Sequence, residues 1–326
     1  MTIVQTNRYV PQSICLNLCS TCNLRCAWCY NQAKQSSTLS YNSFSDFYQN
    51  IVKNYIKNVT LIGGEPTLHP KFFDILDMLK NKNLYLVTNG LIFSDKEFLK
   101  DILQLGVKGI SVSLKGYDEG SFYRTTQLNS FNQLVTAIKN LVDTEIDVKF
   151  TYTYATPLKR TQIQAFIEFL KELKIRQIVI NDVRPYFVET DIVKNPIVDN
   201  IDAFILGLNE SGIITFFRPS NPFCKYKDSF IKNLINQGKI LSSCAVKLRQ
   251  GFFFSDRLEL IPCNELVSIV FGTYNKDFKT FSELVEFWNT PRIQKFFDNL
   301  SGYPKLECKQ CDLWRQCGGN CILHWI

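Results

Sequence analysis

The sequence predicts an α/β fold: a partial (β/α)6 barrel followed by a small C-terminal α+β domain made of a hairpin and helices. Three observations carry that expectation. From about residue 12 to 181, short β-branched or aromatic runs alternate with amphipathic stretches, the pattern of βαβ units around a parallel sheet. The rhythm then breaks at Pro185, Pro196, Pro219 and Pro222. From about residue 240 a new pattern begins, in which cysteines bracket a hairpin and helices. A chain of 326 residues suits such a division, because single cores seldom grow beyond about 250 to 300 residues. We therefore expect a barrel over 1–200, a bridging region over 201–239 and an appended domain over 240–326.

The expected strands are Ser13 to Leu18, Val59 to Ile62, Leu84 to Val87, Ile110 to Leu114, Val148 to Tyr154 and Ile178 to Ile180. Hydroxyl residues followed three positions later by a Glu or Gln announce the helix starts between them: Ser94 with Glu97, Ser130 with Gln133, and Thr161 with Gln164. Apolar residues then recur at helical spacing, as in Phe98, Leu99, Ile102 and Leu103, or in Leu134, Ile138 and Leu141. A helix is expected near Ile201 to Leu208. In the last region Gly251 to Phe254 and Leu258 to Ile261 flank Ser255-Asp256-Arg257 as a hairpin. Helices then open at Thr280, boxed with Glu283, and near Pro291.

Composition excludes several classes. Hydrophobic residues make up 45% and charged residues 21%, which is neither a disordered nor a fibrous balance. The opening MTIVQTNRYV has no basic segment followed by an apolar one, and no apolar run approaches the roughly 18 residues of a membrane span. A cytoplasmic protein with no membrane association is expected. The net charge of +7 concentrates between Arg218 and Arg257, where eight basic residues stand against Asp228 and Asp256. No zinc-finger, helix-turn-helix or RNA-module pattern accompanies them, so nucleic acid is not an expected partner. A solvated face is the plainer reading, and docking of an acidic partner is the functional one.

Twelve cysteines are abnormal for a chain in reducing cytosol, where thiols stay reduced and metal ligation is the leading use. Five lie between Cys15 and Cys29 and seven from Cys224 onward, which implies two sites. After the first strand the chain reads Cys19-Ser-Thr-Cys22-Asn-Leu-Arg-Cys26-Ala-Trp-Cys29-Tyr30. Read as two CxxC units, it is cramped for tetrahedral zinc, whose pairs are normally separated by about 12 or more residues. Read as Cys22-x3-Cys26-x2-Cys29, it suits three irons of a [4Fe-4S] cubane with the fourth iron open. Cys15 alternates with Ile14, Leu16 and Leu18, and its thiol is expected to be simply buried.

The cysteine triad after strand one, together with Gly63-Gly64-Glu65-Pro66 ending strand two, resembles the radical SAM superfamily. That resemblance implies that S-adenosylmethionine fills the open iron through its amino and carboxylate groups. One electron from the cluster then cleaves the sulfonium to a 5'-deoxyadenosyl radical. The glycine pair would let backbone approach the ligand closely, and Glu65 would accept from its ammonium. The resemblance extends less sharply to Trp28 (adenine contact), Ser113 (ribose hydroxyls), Arg124 (cofactor carboxylate) and Asn89 (cleft), each of which also has a plain structural reading. Lys115 stands where relatives carry Asp after the strand-four leucine.

At the other end, Cys244-x18-Cys263 is followed by Cys308-x2-Cys311-x5-Cys317-x3-Cys321. Six thiols exceed one tetrahedral zinc by two. The last four resemble the core of the SPASM domain, an appendage of radical SAM enzymes that carries one or two auxiliary [4Fe-4S] clusters. A seventh cysteine, expected beyond Cys321, is missing from this pattern. The SPASM resemblance groups Cys244, Cys263 and Cys321 on one cluster and Cys308, Cys311 and Cys317 on the other. The shorter twitch pattern would instead close one cluster with Cys244, Cys263, Cys308 and Cys311. Cys224 stands apart as an extra ligand, a hydrogen-atom donor or a chemically idle thiol. His69 is expected to cap or pack a turn, and His324 is a tail residue or an iron ligand.

The family resemblance implies a maturase that abstracts hydrogen from a ribosomally made peptide, giving a crosslink, an epimerised centre or an oxidised side chain. A small-molecule dehydrogenase or epimerase acting on a sugar, aminocyclitol or nucleoside is the alternative. Either needs an acidic electron donor such as flavodoxin or ferredoxin.

Overall fold

All six expected strands form, each within two residues of its expected bounds. The computed structural model describes residues 10–31, 36–184, 200–242 and 244–325. It contains β1 (Ser13–Asn17), β2 (Asn58–Ile62), β3 (Asn83–Thr88), β4 (Gly109–Leu114), β5 (Asp147–Tyr154), β6 (Gln177–Asp182), β7 (Ile214–Arg218), β8 (Phe252–Phe254), β9 (Glu259–Ile261) and β10 (Gly272–Thr273). The main helices are α1 (Tyr41–Phe47), α2 (Phe72–Leu79), α3 (Lys96–Gln104), α4 (Glu119–Thr126), α5 (Phe131–Val142), α6 (Arg160–Glu172), α7 (Ile201–Glu210), α8 (Asp228–Asn236), α9 (Phe281–Trp288), α10 (Pro291–Ser301) and α11 (Trp314–Cys317). Pro185 and Pro196, like the first nine residues, lie outside the described residues. Strands joined in parallel through helices are the architecture of a partial (β/α) barrel.

The chain folds as two compact units, each assembled from separated segments. The first comprises Met1–Thr21, Gln35–Tyr85 and Ala245–Gly302. Here β1 pairs in parallel with β2, Ser13 opposite Asn58 through Asn17 opposite Ile62. On its other side β1 pairs in parallel with β8, Ile14 opposite Phe252. The expected hairpin is therefore present as antiparallel β8 and β9, and it extends a sheet that begins at residue 13. Aromatic rings fill this core: Phe47 meets Phe254 and Tyr274 edge-on at 4.9 and 5.1 Å, and Phe252 meets Trp288 at 5.1 Å.

The second unit comprises Cys22–Lys34, Leu86–Cys244 and Tyr303–Ile326. Strands β4, β5, β6 and β7 run parallel in that order. Ile178, Val179 and Ile180 of β6 are all buried, as a strand covered on both faces requires. Phe166 packs edge-on against Tyr152 and Phe204 at 4.7 and 5.1 Å. Strand β7 is absent from the sequence reading, which treats its surroundings as irregular because of Pro219 and Pro222. Both prolines follow the strand, which itself alternates Thr215 and Phe217 inward with Ile214 and Arg218 outward.

Three helix starts differ from expectation. Asp95, not Ser94, caps α3, its Oδ1 accepting from the Glu97 and Phe98 amides at 2.9 and 3.3 Å. A carboxylate serves two amides and also favours the positive end of the helix, so it displaces the neighbouring hydroxyl. Helix α6 begins two residues early, with the Lys159 amide donating to Gln162 Oε1 at 2.8 Å, while Gln164 donates instead to Glu168 at 3.0 Å. Ser130 precedes α5 without a capping bond, and Gln133 is drawn to the Leu91 carbonyl at 3.2 Å. The Thr280 box forms in both directions. No helix among the described residues is long and apolar enough to cross a membrane.

Candidate active site

In the first unit the β1–β2 ladder continues past both strand ends. Leu18 donates to the Ile62 carbonyl at 2.9 Å, Gly64 to Cys19 at 2.7 Å and Glu65 to Thr21 at 2.8 Å. This closeness explains the glycine pair. A Cβ on Gly63 would stand 2.5 Å from the Cys19 carbonyl oxygen, and one on Gly64 would stand 2.3 Å from that of Thr21 and 2.5 Å from that of Ser20. The sequence reading assigns these glycines to close approach of a ligand; it is the protein's own backbone that already occupies the space beside them.

Glu65 follows, 1% exposed, with Oε1 accepting from the Thr67 hydroxyl at 2.7 Å and its amide at 3.3 Å. It thereby caps the 3-10 turn Pro66–Leu68, with Pro66 in the first-turn position that suits it. His69 is packed as expected: Nδ1 accepts from the Lys71 amide at 3.0 Å, which leaves Nε2 to donate to the Leu39 carbonyl at 2.7 Å. Cys15 is half-buried rather than fully buried, its Sγ accepting from Asn264 Nδ2 at 3.6 Å, and desolvation pushes its thiol up to about 11. The Cys19 thiol donates to the Glu65 carbonyl at 3.3 Å, the bond of a neutral S–H group.

In the second unit the triad occupies a loop docked on the end of α4. Arg25 donates to the Thr126 carbonyl at 3.0 Å and Ala27 to that of Thr125 at 3.2 Å, so the backbone on both sides of Cys26 is fixed. The Leu24 amide donates to Cys22 Sγ and the Asn31 amide to Cys29 Sγ, each at 3.4 Å. Amide donors favour thiolate over thiol, the form that binds iron. Cys26 is buried, and burial pushes its thiol up, while the Lys115 ammonium opposes that shift. An all-sulfur donor set with backbone amides aimed at two of its members fits an iron–sulfur cluster.

Lys115 is the functional-site residue whose neighbours the sequence does not disclose. Its Nζ donates to Ser113 Oγ at 2.7 Å and lies 5.9 Å from the centroid of the Trp28 ring. Ser113 and Trp28, assigned to cofactor contacts by resemblance, are therefore joined through the residue that departs from the family pattern. Asn89 is buried and ties the loop down, donating to Asn23 Oδ1 at 2.7 Å and accepting from the Leu91 amide at 3.1 Å. Arg124 is exposed on α4, two residues before the carbonyl that receives Arg25.

The later cysteines string along successive turns. Cys308 lies in the 3-10 turn Leu306–Gln310, its carbonyl accepting from the Cys311 amide at 3.4 Å, and Cys317 closes α11. Cys321 follows in the same unit, as does Cys244, whereas Cys263 belongs to the first unit. Within the basic stretch, Lys227 pairs with Asp202, Lys232 with Asp228 and Arg249 with Asp298, so part of that charge is answered locally. His324 holds a buried Nε2 with no hydrogen-bond partner among the described residues, and burial lowers its basicity.

A parallel α/β core followed, after its first strand, by a loop of three cysteines suits an iron–sulfur cluster. Residues 16–173 match the Radical SAM superfamily, and the chain carries a radical SAM domain there. Over 176 residues it is 25% identical to a probable GTP 3',8-cyclase of Saccharolobus islandicus (strain Y.N.15.51 / Yellowstone #2), covering 52% of this chain and 56% of that one. Over 160 residues it is 26% identical to a GTP 3',8-cyclase of Chlorobaculum tepidum, covering 47% and 48%. The chain spans about half the length of these curated relatives. Its fold is similar to that of Streptococcus suis SuiB bound to S-adenosylmethionine, with TM-score 0.68 and 15% identity, covering 96% of this chain and 73% of that one. The same fold solved with the precursor peptide SuiA gives TM-score 0.68 and 14% identity, covering 96% and 72%.

Proposed function

We propose that the protein is a radical SAM maturase that abstracts hydrogen from a peptide. One observation supports the peptide over a nucleotide: the fold likeness to SuiB, solved with a precursor peptide, covers 96% of the chain, whereas the sequence likeness to the first cyclase covers 52%. In this reading Cys22, Cys26 and Cys29 hold the [4Fe-4S] cluster, and Gly63, Gly64, Glu65 and Pro66 form the turn that receives the cofactor amine. Trp28, Ser113, Arg124 and Asn89 serve the adenine, ribose, carboxylate and loop position respectively. The bound pair supplies a 5'-deoxyadenosyl radical; the protein's residues orient the cofactor and keep water from it. The basic residues between Arg218 and Arg257 offer a landing face for an acidic electron donor.

The test is competition between substrates. The reduced enzyme should form 5'-deoxyadenosine in step with loss of hydrogen from a short peptide encoded beside its gene, and leave GTP intact. Consumption of GTP in step with 5'-deoxyadenosine would overturn the peptide reading in favour of the nucleotide one that the cyclase relatives suggest.

Two further outcomes bear on the cofactors. Glu65→Gln should weaken S-adenosylmethionine binding by one to two decades while the iron content holds, because a charge-assisted hydrogen bond contributes about 1.5 to 3 kcal/mol. Glutamine keeps an oxygen for Thr67, so the turn survives; calorimetry finding unchanged affinity would make Glu65 a cap and nothing more. Late-cysteine clusters predict iron that outlives the triad. With Cys22, Cys26 and Cys29 all changed to Ala, about eight irons per chain are expected for two auxiliary clusters, and about four would mean the single closed arrangement.

A further inference from the structure

We propose that Cys224 is the fourth thiolate of an auxiliary iron–sulfur site whose other ligands are Cys308, Cys311 and Cys317. The inference rests on the auxiliary clusters proposed above and adds a ligand from outside the cysteine-rich tail. The SPASM resemblance groups three thiols here, and a cubane takes up to four ligands. The fold brings a further thiol from the turn after β7.

The segment Ser220–Lys225 leaves β7 and closes in the 3-10 turn Phe223–Lys225. Three hydrogen bonds lay it against the turn 317–321. The Phe223 amide donates to Cys317 Sγ at 3.4 Å, Asn320 Nδ2 to the Asn221 carbonyl at 2.5 Å, and the Cys321 amide to the Ser220 carbonyl at 3.0 Å. The residue next to the Phe223 donor is Cys224. Its segment is also held from the opposite side by the buried carboxylate of Asp182, at the end of β6. That carboxylate accepts from the Ser220 amide and the Tyr226 hydroxyl, and from the Asn221 amide and side chain at 3.2 and 2.8 Å. A carboxylate so surrounded fixes the turn before any metal binds.

The Phe223 amide aimed at Cys317 Sγ is a donor that favours a thiolate there, one residue from Cys224. Cys308, Cys311 and Cys317 lie on consecutive turns linked through the Cys308-to-Cys311 and Cys311-to-Trp314 bonds. Among the described residues no three Cys, His, Asp or Glu side chains close on a single-ion site. Thiolates around the corners of a cubane stand farther apart than ligands around one ion. Cys224 itself is exposed, so this corner of the site faces solvent.

The experiment uses the full chain with Cys22, Cys26 and Cys29 changed to Ala, loaded anaerobically with iron and sulfide. Cys224→Ala and Cys224→Ser are added to it, with Lys225→Ala as a neighbouring control. On mild ferricyanide oxidation the Cys224 variants should release about one more iron per chain than the parent and show a correspondingly larger three-iron EPR signal, while the Lys225 variant matches the parent. In the parent, Cys224 should react with iodoacetamide about tenfold more slowly when loaded than after iron removal, despite its exposure. Equal alkylation in both states, with oxidised spectra unchanged by the Cys224 variants, overturns the ligand assignment alone. A parent that retains no iron overturns the auxiliary clusters and this assignment together.

Discussion

Changing Cys26 to Ala should reduce 5'-deoxyadenosine formation to background while leaving the fold intact. Two thiolates cannot hold a cubane in the geometry that leaves one iron open. The fold should survive because the loop is fastened by backbone atoms on either side of Cys26, through Arg25 to Thr126 and Ala27 to Thr125 at 3.0 and 3.2 Å. The Cys26 carbonyl also accepts from the Cys29 amide at 3.0 Å, a bond that alanine keeps. Anaerobic assay of 5'-deoxyadenosine beside a circular-dichroism melt separates the two effects. Unchanged 5'-deoxyadenosine formation would refute the cluster assignment, and a collapsed melt would show that the sulfur is part of the core.

Gly64→Ala should be among the most damaging single methyl groups that can be added. Its Cβ would enter between two carbonyl oxygens, those of Thr21 and Ser20, at 2.3 and 2.5 Å, and neither can rotate aside. Overpacking of that kind costs about 1 to 3 kcal/mol. Parting the segments also weakens the Gly64-to-Cys19 and Glu65-to-Thr21 bonds, each contributing about 0.5 to 1.5 kcal/mol. A fall in melting temperature of roughly 5 to 15 °C is expected in the iron-free protein. Gly207→Ala is the control: on α7 its Cβ would meet Ile163 at an ordinary 3.5 Å, and helix propensity favours alanine by up to about 1 kcal/mol. Equal melts for the two variants would contradict the close approach.

The strands are legible because a run such as Ile178-Val179-Ile180 states its burial in its own composition, and the triad because three cysteines at that spacing have few other uses. Strand β7 is harder, since Ile214–Arg218 is short and the nearby prolines dominate the eye. Cap positions such as Asp95 against Ser94 depend on which of two adjacent competent side chains sits outside the helix, a matter of one backbone dihedral. Contacts across the sequence are not written in it at all. Lys115 is visible as a departure, but its hold on Ser113 and Trp28 belongs to packing. Gly63 and Gly64 are readable as a place of close approach, while the identity of what approaches is not.

The pairing of β1 with β8 also has a consequence in time. Asn17 reaches the Phe254 carbonyl across 237 residues of sequence. At about 5 to 20 residues per second, a ribosome delivers that partner roughly ten to fifty seconds after β1 has emerged. Until then one margin of β1 is bare, with Ile14, Cys15 and Leu16 in a strand that has no second neighbour. A chain stalled or cut before residue 252 would keep that margin open and offer it to other nascent copies, so slow or interrupted synthesis should favour aggregates over folded protein.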